Sequence, residues 1–397
     1  MELQNTPAYS LKDLTLYFLK LGATGFGGPV ALVSYMHRDL VENKKWISED
    51  DYKEGLALAQ LSPGPLAAQL GIYIGFIHYR LLGATLAGIS FVLPSFIMVL
   101  LIGIAYQAFG GLPWMQAVFY GVGAAVIGII IISSYKLTVK SIGSFSAASL
   151  RNNWMLWMFF ITGAVLTYVT QTEMLWFFVL TGIVYMLVKA PPAWAKRNNV
   201  ANALLIGGLG FSEFNSNILV QIALFFSKAG AFVFGSGLAI VPFLHSGVVT
   251  QYHWLNEHQF LDAIAVAMIT PGPVVITVGF IGYLVAGFPG ALVAATATFL
   301  PCYLFTIIPA PYFKKYAKNA SLKAFVDGIT ASVIGALAGA VLVIASRSII
   351  DVPSAFIALG ALLGLIYIKK LQEPYVILIA AVAGILLNLV SVSVANV

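Results

Sequence analysis

Charge is scarce in this sequence: Asp, Glu, Lys and Arg make up 9% of its 397 residues, while 60% are hydrophobic. A soluble domain carries about 25% charged residues, so a water-facing globule is excluded and an integral membrane protein is implied. Cysteine is scarcer still. Cys302 stands alone, which excludes an intramolecular disulfide and any CxxC redox or zinc site. No HExxH pair or Cys/His cluster holds a metal, no Walker loop hydrolyses ATP, and no GxSxG elbow offers a nucleophile. Neither metal, cofactor nor enzyme activity is therefore expected. A basic leader with an A-x-A-like end is also lacking, so no cleavable signal peptide is expected. The net charge of +6 sits mostly on loop lysines that orient helices, not on a nucleic-acid surface.

What is present is a series of apolar runs of about 20 residues, the length of a membrane-crossing helix. Ten crossings are expected: 14–36, 82–108, 114–134, 154–170, 174–188, 218–244, 285–310, 325–345, 355–368 and 374–392. The expected class is an all-α integral membrane protein in contact with lipid.

The runs repeat. "FLKLGATGFGG" from Phe18 resembles "FSKAGAFVFGS" from Phe226, with Lys20 matching Lys228 at an offset of 208. The same offset carries His37 to His245, Trp46 to Trp254, Glu54 to Asp262 and Pro63-Gly64-Pro65 to Pro271-Gly272-Pro273. After a one-residue deletion the offset becomes 207, taking Gly75 to Gly282, Ser95 to Cys302 and Tyr120 to Asp327. Two copies of one unit are expected, at 1–189 and 216–397, joined by a linker at 190–215.

Loop charge indicates how the copies face. Arg38, Lys44, Lys45 and Lys53 follow the first run, whereas 245–258 carries no Lys or Arg. Later the bias reverses: 109–116 has none, and its counterpart holds Lys314, Lys315, Lys318 and Lys323. By the positive-inside rule the copies prefer opposite orientations, the inverted repeat of many secondary transporters. Both chain ends are then expected outside. Parity requires 55–80 to return to its own side as a re-entrant helical hairpin, with 263–284 as its twin. Ser48 with Asp51, and Asn256 with Gln259, are capping-box patterns for the first arms. About five crossing helices and one such hairpin per half complete the expected architecture.

A backbone break in lipid leaves N–H and C=O groups unpaired, so it persists only against protein or a water-filled cavity. Proline ends one helix and suits the first turn of the next. The helices that begin after Pro65 and Pro273 would therefore aim free N–H groups and positive dipole ends at mid-membrane. Opposed helix starts suit an oxyanion. Gly25, Gly27 and Gly28, with Gly235 and Gly237, would allow close backbone approach, while the Ser236 hydroxyl could join the site or simply be tolerated. Lys20 and Lys228, each within an apolar run, would supply two cations for a dianion. A charge at such depth costs about 2.5–3.5 kcal/mol and usually marks a substrate path; snorkelling to headgroups is the bland alternative.

At these residues the chain resembles the chromate ion transporter family in its long, two-domain form. The resemblance rests on "FLKLGATGFGGP", "LALAQLSPGPLAAQLGIYIG" and the second "PGP", and it covers nearly the whole chain. It implies a multi-pass inner-membrane protein that exports chromate, with sulfate as the isosteric competitor, driven by membrane potential or a proton gradient. "FGSG" at 234–237 departs from the more usual third glycine.

Other residues carry weaker signals. Glu54 and Asp262 could carry a coupling proton or simply favour a helix start. Gln69, Ser62 and Thr270 flank the breaks and could donate to an oxyanion or cap the broken ends. His37 and His245 are expected at the membrane interface, and Asp327 as a helix cap. Sulfate or other anion uptake, an anion channel, and a membrane enzyme or scaffold are the competing functions. A homodimer is compatible with the small halves.

Overall fold

The computed structural model describes residues 9–26, 28–109, 112–171, 175–192, 217–233, 237–313, 319–349, 351–368 and 371–395. Among them the chain is helical throughout, with no strand. In the first half the helices are α1 (Leu11–Thr24), α2 (Gly28–Met36), α3 (Glu49–Leu61), α4 (Leu66–Phe109), α5 (Pro113–Ser141), α6 (Ala147–Asn152), α7 (Trp154–Thr170) and α8 (Leu175–Lys189). The second half follows with α9 (Ile218–Ala231), α10 (Val241–Leu244), α11 (Glu257–Ile269), α12 (Thr277–Ile307), α13 (Ala320–Ser348), α14 (Val352–Tyr367) and α15 (Glu373–Ala395). The linker expected at 190–215 lies almost wholly outside the described residues. Four long helical stretches, 66–109, 113–141, 274–312 and 320–348, are apolar enough to cross a membrane, which with the shorter apolar helices makes a multi-pass membrane protein.

The runs 14–36 and 218–244, expected as single crossings, are each interrupted. In the first, α1 stops at Thr24 and α2 starts at Gly28, whose φ of 71° needs glycine. The two helices then run back along each other. Gly25 lies against Leu32, the Tyr17 hydroxyl donates to Asp39 Oδ2 at 3.5 Å, and Tyr9 stacks on Trp46 at 4.7 Å. In the second, α9 gives way after Ala231, and Phe225 folds back against Gly247 and stacks on Phe243. The sequence expectation fails here because apolar content fixes that a segment is helical, not that it continues straight through a glycine cluster. Tyr9 consequently lies level with Trp46, beside the basic 37–54 loop.

Each returning segment ends in a π-helical turn, His37–Asn43 and His245–Gln251. Lys45 and His253, at φ 52° and 51°, then reverse the chain toward α3 and α11. Ser48 and Asn256 cap these helices as their sequence patterns indicate, accepting from the Asp51 and Gln259 amides. Asp327 does not cap its helix: Asn319 does, and Asp327 sits two turns further along α13.

α4 is two arms folded at Arg80, which takes φ 51°; α12 is folded likewise at Ala286 and Gly287, the latter at φ 62°. Gly75 meets the Gly83 backbone, and Gly282 meets Gly290, so the arms pack at backbone contact without side chains between them. The Tyr79 hydroxyl donates to the Tyr9 carbonyl, which returns arm 66–79 to the level where α1 begins. Four short arms per half thus form two hairpins, and at their tips Gly25, Ser62, Gly64, Pro65, Val233, Thr270 and Gly272 are buried.

The halves exchange their remaining helices. α7 and α8 of the first half pack on α13 of the second, and α14 and α15 of the second pack on α5 of the first. Small residues permit it: Gly163, Gly335 and Gly339 seat α7 on α13, and Gly128, Gly121 and Gly384 seat α14 and α15 on α5. The Tyr120 hydroxyl near the start of α5 donates to Asp351 Oδ1 just beyond the end of α13, at 2.6 Å. Lys136 near the end of α5 and Lys323 near the start of α13 line one cavity. The start of α5 thus lies by the end of α13, and the end of α5 by the start of α13.

Candidate functional site

The four hairpin tips meet across the boundary between the halves. The Gly64 amide donates to the Val233 carbonyl at 2.5 Å, and the Gly272 amide donates to the Gly25 carbonyl at 2.9 Å. Val233 is the repeat mate of Gly25, so one bond is the image of the other. Gly64 (φ 140°) and Gly272 (φ 97°) both adopt backbone conformations that other residues rarely reach. Around them the packing is crosswise as well. Gly64 lies against Gln69 and Cys302, and Gly272 against Ser95, the repeat mate of Cys302.

Polar groups at the tips are held unevenly. Gln69 is fully buried; its Nε2 donates to the Pro63 carbonyl at 2.8 Å while Oε1 has no partner among the described residues. Ser95 is fully buried, and its hydroxyl has no partner among the described residues. The Thr270 hydroxyl is already committed to the Ala267 carbonyl at 3.1 Å, and that of Ser62 to Phe305 at 3.3 Å. The Thr270 bond thus satisfies the end of α11, whereas Ser62 ties its break to α12 of the other half.

A cavity of about 780 Å3 reaches the tips from one side. Its deep wall is Gly25, Phe26, Gly28, Pro29, Leu66, Thr270, Gly272 and Val274; its outer wall carries Gln60, Lys136, Lys140, Lys323, Asp327 and Glu373. The start of α2 at Gly28 and the start of α4 at Leu66 both border it, which places the positive dipole ends of two helices at its wall. Three lysines against two carboxylates leave the lining net positive. That arrangement suits an anion and offers no ligand set for a metal; among the described residues no cluster of three His, Cys, Asp or Glu occurs.

The residues singled out from sequence divide between this cavity and its surroundings. Gly28 and Gly272 line it; Pro63, Gly64, Pro65, Gln69, Pro271 and Pro273 form the tips around it. Gly27, Gly235 and Ser236 lie outside the described residues, whereas Gly237 opens a short turn against Val274 and Val275. Lys20 is exposed and lines a neighbouring lateral cavity of about 800 Å3 with Asp13, Tyr17, Arg38, Asp39 and Lys44. Gly25 and Phe26 belong to both cavities, forming the wall between them. Lys228 is half-buried in the last turn of α9 and lines neither cavity.

Of the two repeat-related carboxylates, Asp262 is buried and its Oδ2 accepts from the Tyr106 hydroxyl at 2.7 Å, across the halves. Glu54 is bonded to Tyr73 within its own half. His37 and His245 each sit at a π turn and meet a glutamate through Nε2, Glu49 at 2.9 Å and Glu257 at 2.8 Å.

Sequence reasoning missed Ser95, Tyr106, Lys136 and Lys140. The spacing of Lys136 and Lys140, one turn apart and near the end of an apolar helix, is a signal that could have marked them as one cationic face.

The chromate transporter family model matches the chain twice, over residues 12–187 and 220–385. The chain belongs to the chromate transporter family. The two matched segments start 208 residues apart, the offset that relates Gly64 to Gly272. Over 383 residues the chain is 60% identical to the chromate transport protein of Cupriavidus metallidurans, covering 96% of this chain and 94% of that one. It is 57% identical to the probable chromate transport protein of Synechococcus elongatus, covering 96% of each. A chromate transport protein of Pseudomonas aeruginosa is 30% identical over 95% of this chain and 92% of its own. No solved structure matches. Within this chromate transporter-family chain, the doubly matched segments contain all four hairpin tips.

Proposed function

We propose that the protein is a secondary transporter that exports chromate, a tetrahedral dianion with sulfate as its isostere, across the cytoplasmic membrane by alternating access. The anion binds where the Pro63-Gly64-Pro65 and Pro271-Gly272-Pro273 breaks converge, between two copies of an inverted-topology repeat. One observation carries this reading: the paired bonds Gly64–Val233 and Gly272–Gly25 join four hairpin tips at the end of a net-positive cavity. Backbone breaks of this kind need protein or water around them, and helix starts bordering a cavity favour oxyanions over cations. The family membership and the names of the relatives support chromate as the substrate.

Orientation follows from charge. The cavity mouth carries Lys136, Lys140 and Lys323, and the adjoining 37–54 loop carries Arg38, Lys44, Lys45 and Lys53. By the positive-inside rule that face is cytoplasmic, so the site is loaded from the cytosol, as export requires. Lys20 and Lys228 act beside the tips as further cations, and the buried Asp262, with Glu54 as its counterpart, is the proposed proton carrier. Chromate flux into proteoliposomes, with sulfate, phosphate and molybdate as competitors, tests the substrate. Lys20→Ala and Lys228→Ala should each abolish that flux in protein that still inserts; normal transport by both removes these lysines from the site.

A further inference from the structure

One half of the molecule is closed where the other is open. α11 packs against α5, α13 and α15, and every residue from Phe260 to Met268 is buried. Its repeat mate α3 packs chiefly on α4 and buries only Tyr52, Gly55, Leu58 and Ala59, leaving Gln60 and Leu61 on the cavity wall. The closed side is fastened by charge. Arg347, in the last turn of α13, donates to Glu257 Oε1 at 2.6 Å and to Gln171 at the end of α7. Glu257 is the first residue of α11, so this contact holds α11 to the α7–α13 pair.

The repeat offsets identify the corresponding pair on the open side. Arg347 maps to Lys140 in the last turn of α5, and Glu257 maps to Glu49, the first residue of α3. The charges are conserved in kind but the contact is not made. Glu49 is bonded to His37 and to Lys53, and Lys140 lines the cavity with no ion-pair partner among the described residues.

We propose that Lys140–Glu49 and Arg347–Glu257 are the two gates of the transport cycle, closed alternately. In the state described here the Arg347–Glu257 gate is shut and the Lys140–Glu49 gate is open. In the opposite state α3 swings onto the end of α5, Lys140 reaches Glu49, and Arg347 releases Glu257. The anion cavity then closes on the cytoplasmic face and its mirror opens outside. The inference rests on the alternating-access reading above. It adds which side chains exchange partners.

Charge exchange tests it. Lys140→Glu sets a carboxylate against Glu49 and favours the cytoplasm-open state; Arg347→Glu sets one against Glu257 and favours the other. Each should cut chromate flux in proteoliposomes about tenfold, in line with ordinary coupling energies between sites. Lys140→Glu combined with Glu49→Lys should recover most of the flux, although these side chains are not paired in this structure. A double variant whose loss equals the product of the two single losses would overturn the proposal. A second measurement does not depend on flux. In a Cys302→Ser background, Glu49→Cys with Lys140→Cys should be bridged by a short bis-maleimide in detergent, and a sealed vesicle bearing the bridge should lose transport. Failure to bridge, or transport unaffected by the bridge, overturns the gate. If the protein with Cys302 intact moves no chromate while the bridge still forms in the double-cysteine variant, the substrate reading falls and the gate stands.

Discussion

The Gly272 amide donates to the Gly25 carbonyl at 2.9 Å, tying the second half's Pro-Gly-Pro break to the first half's glycine cluster. Its image, Gly64 to Val233, does the reverse. Neither half therefore satisfies its own break; each lends the other an acceptor. An N–H left unpaired in such a place costs about 1–3 kcal/mol, which makes the joined tips a unit that forms only when both halves are in place.

Gly272→Ala is expected to damage this unit most directly. At φ 97° an alanine is strained, and its Cβ would strike the Ser95 hydroxyl. Positions held in such regions cost about 1–3 kcal/mol each. Chromate flux should fall at least about tenfold, since 1.4 kcal/mol corresponds to a factor of ten, and the thermal midpoint in detergent should drop. Gly64→Ala, at φ 140° and facing Gln69 and Cys302, should behave alike. Wild-type flux in both variants would mean the tips tolerate side chains and do not cradle the substrate.

Asp262→Asn separates binding from coupling. Asparagine keeps an acceptor for the Tyr106 hydroxyl, now 2.7 Å from Asp262 Oδ2, so the packing should survive. The variant should still exchange chromate for chromate across vesicles but lose accumulation driven by a pH gradient. Glu54→Gln, whose carboxylate bonds Tyr73 within one half, should show a smaller loss. Gradient-driven accumulation by Asp262→Asn at the wild-type level would place the proton path elsewhere.

Much of this architecture was legible in the sequence because duplication prints each structural device twice. The 208 offset that relates the two Pro-Gly-Pro motifs also relates the caps Ser48 and Asn256, the π turns at His37 and His245, and the reversals at Lys45 and His253. Hydrophobic runs also placed α7 and α8 closely. What composition could not carry was direction. Gly25 to Gly28 looks the same whether a helix packs closely there or turns back, and only contacts such as Tyr9 on Trp46 decide it. Nor could spacing reveal partners from the other half. Ser95 is an ordinary residue in a helix until Gly272 lies against it. Asp327 followed a helix-start pattern, yet Asn319 had already capped that helix.

Asp351 offers a pH signature outside the membrane-spanning helices. Hydrogen bonds from Ser354 and from the Tyr120 hydroxyl hold its carboxyl below the usual carboxylate range. A depressed folded-state value adds stability that is present above the unfolded value, about 3.9, and is lost as pH falls through the lower folded one. Asp351→Ala should therefore lower the thermal midpoint at neutral pH, by the equivalent of about 1 kcal/mol for a lost helix cap. The difference from wild type should shrink on acidification below about pH 4. A gap that persists unchanged there would assign the effect to packing, not to the charged cap.

The two histidines should respond unequally to removal despite their equivalent positions. His245 is 3% exposed and meets Glu257, which also holds Arg347; His37 is 30% exposed and meets Glu42 and Glu49, both well exposed themselves. A hydrogen bond to a charged group in a dry setting contributes about 1.5–3 kcal/mol, whereas an exposed pair contributes about 0–1 kcal/mol. His245→Ala also leaves a gap against Phe260, whose ring meets the imidazole edge-on with centroids 5.2 Å apart. The thermal midpoint should thus fall clearly for His245→Ala and hardly at all for His37→Ala. His245→Gln, which can donate to Glu257 from a similar reach, should recover part of the loss. Equal shifts for the two alanine variants would show that burial does not distinguish the closed side from the open one, and would weaken the asymmetry between α11 and α3.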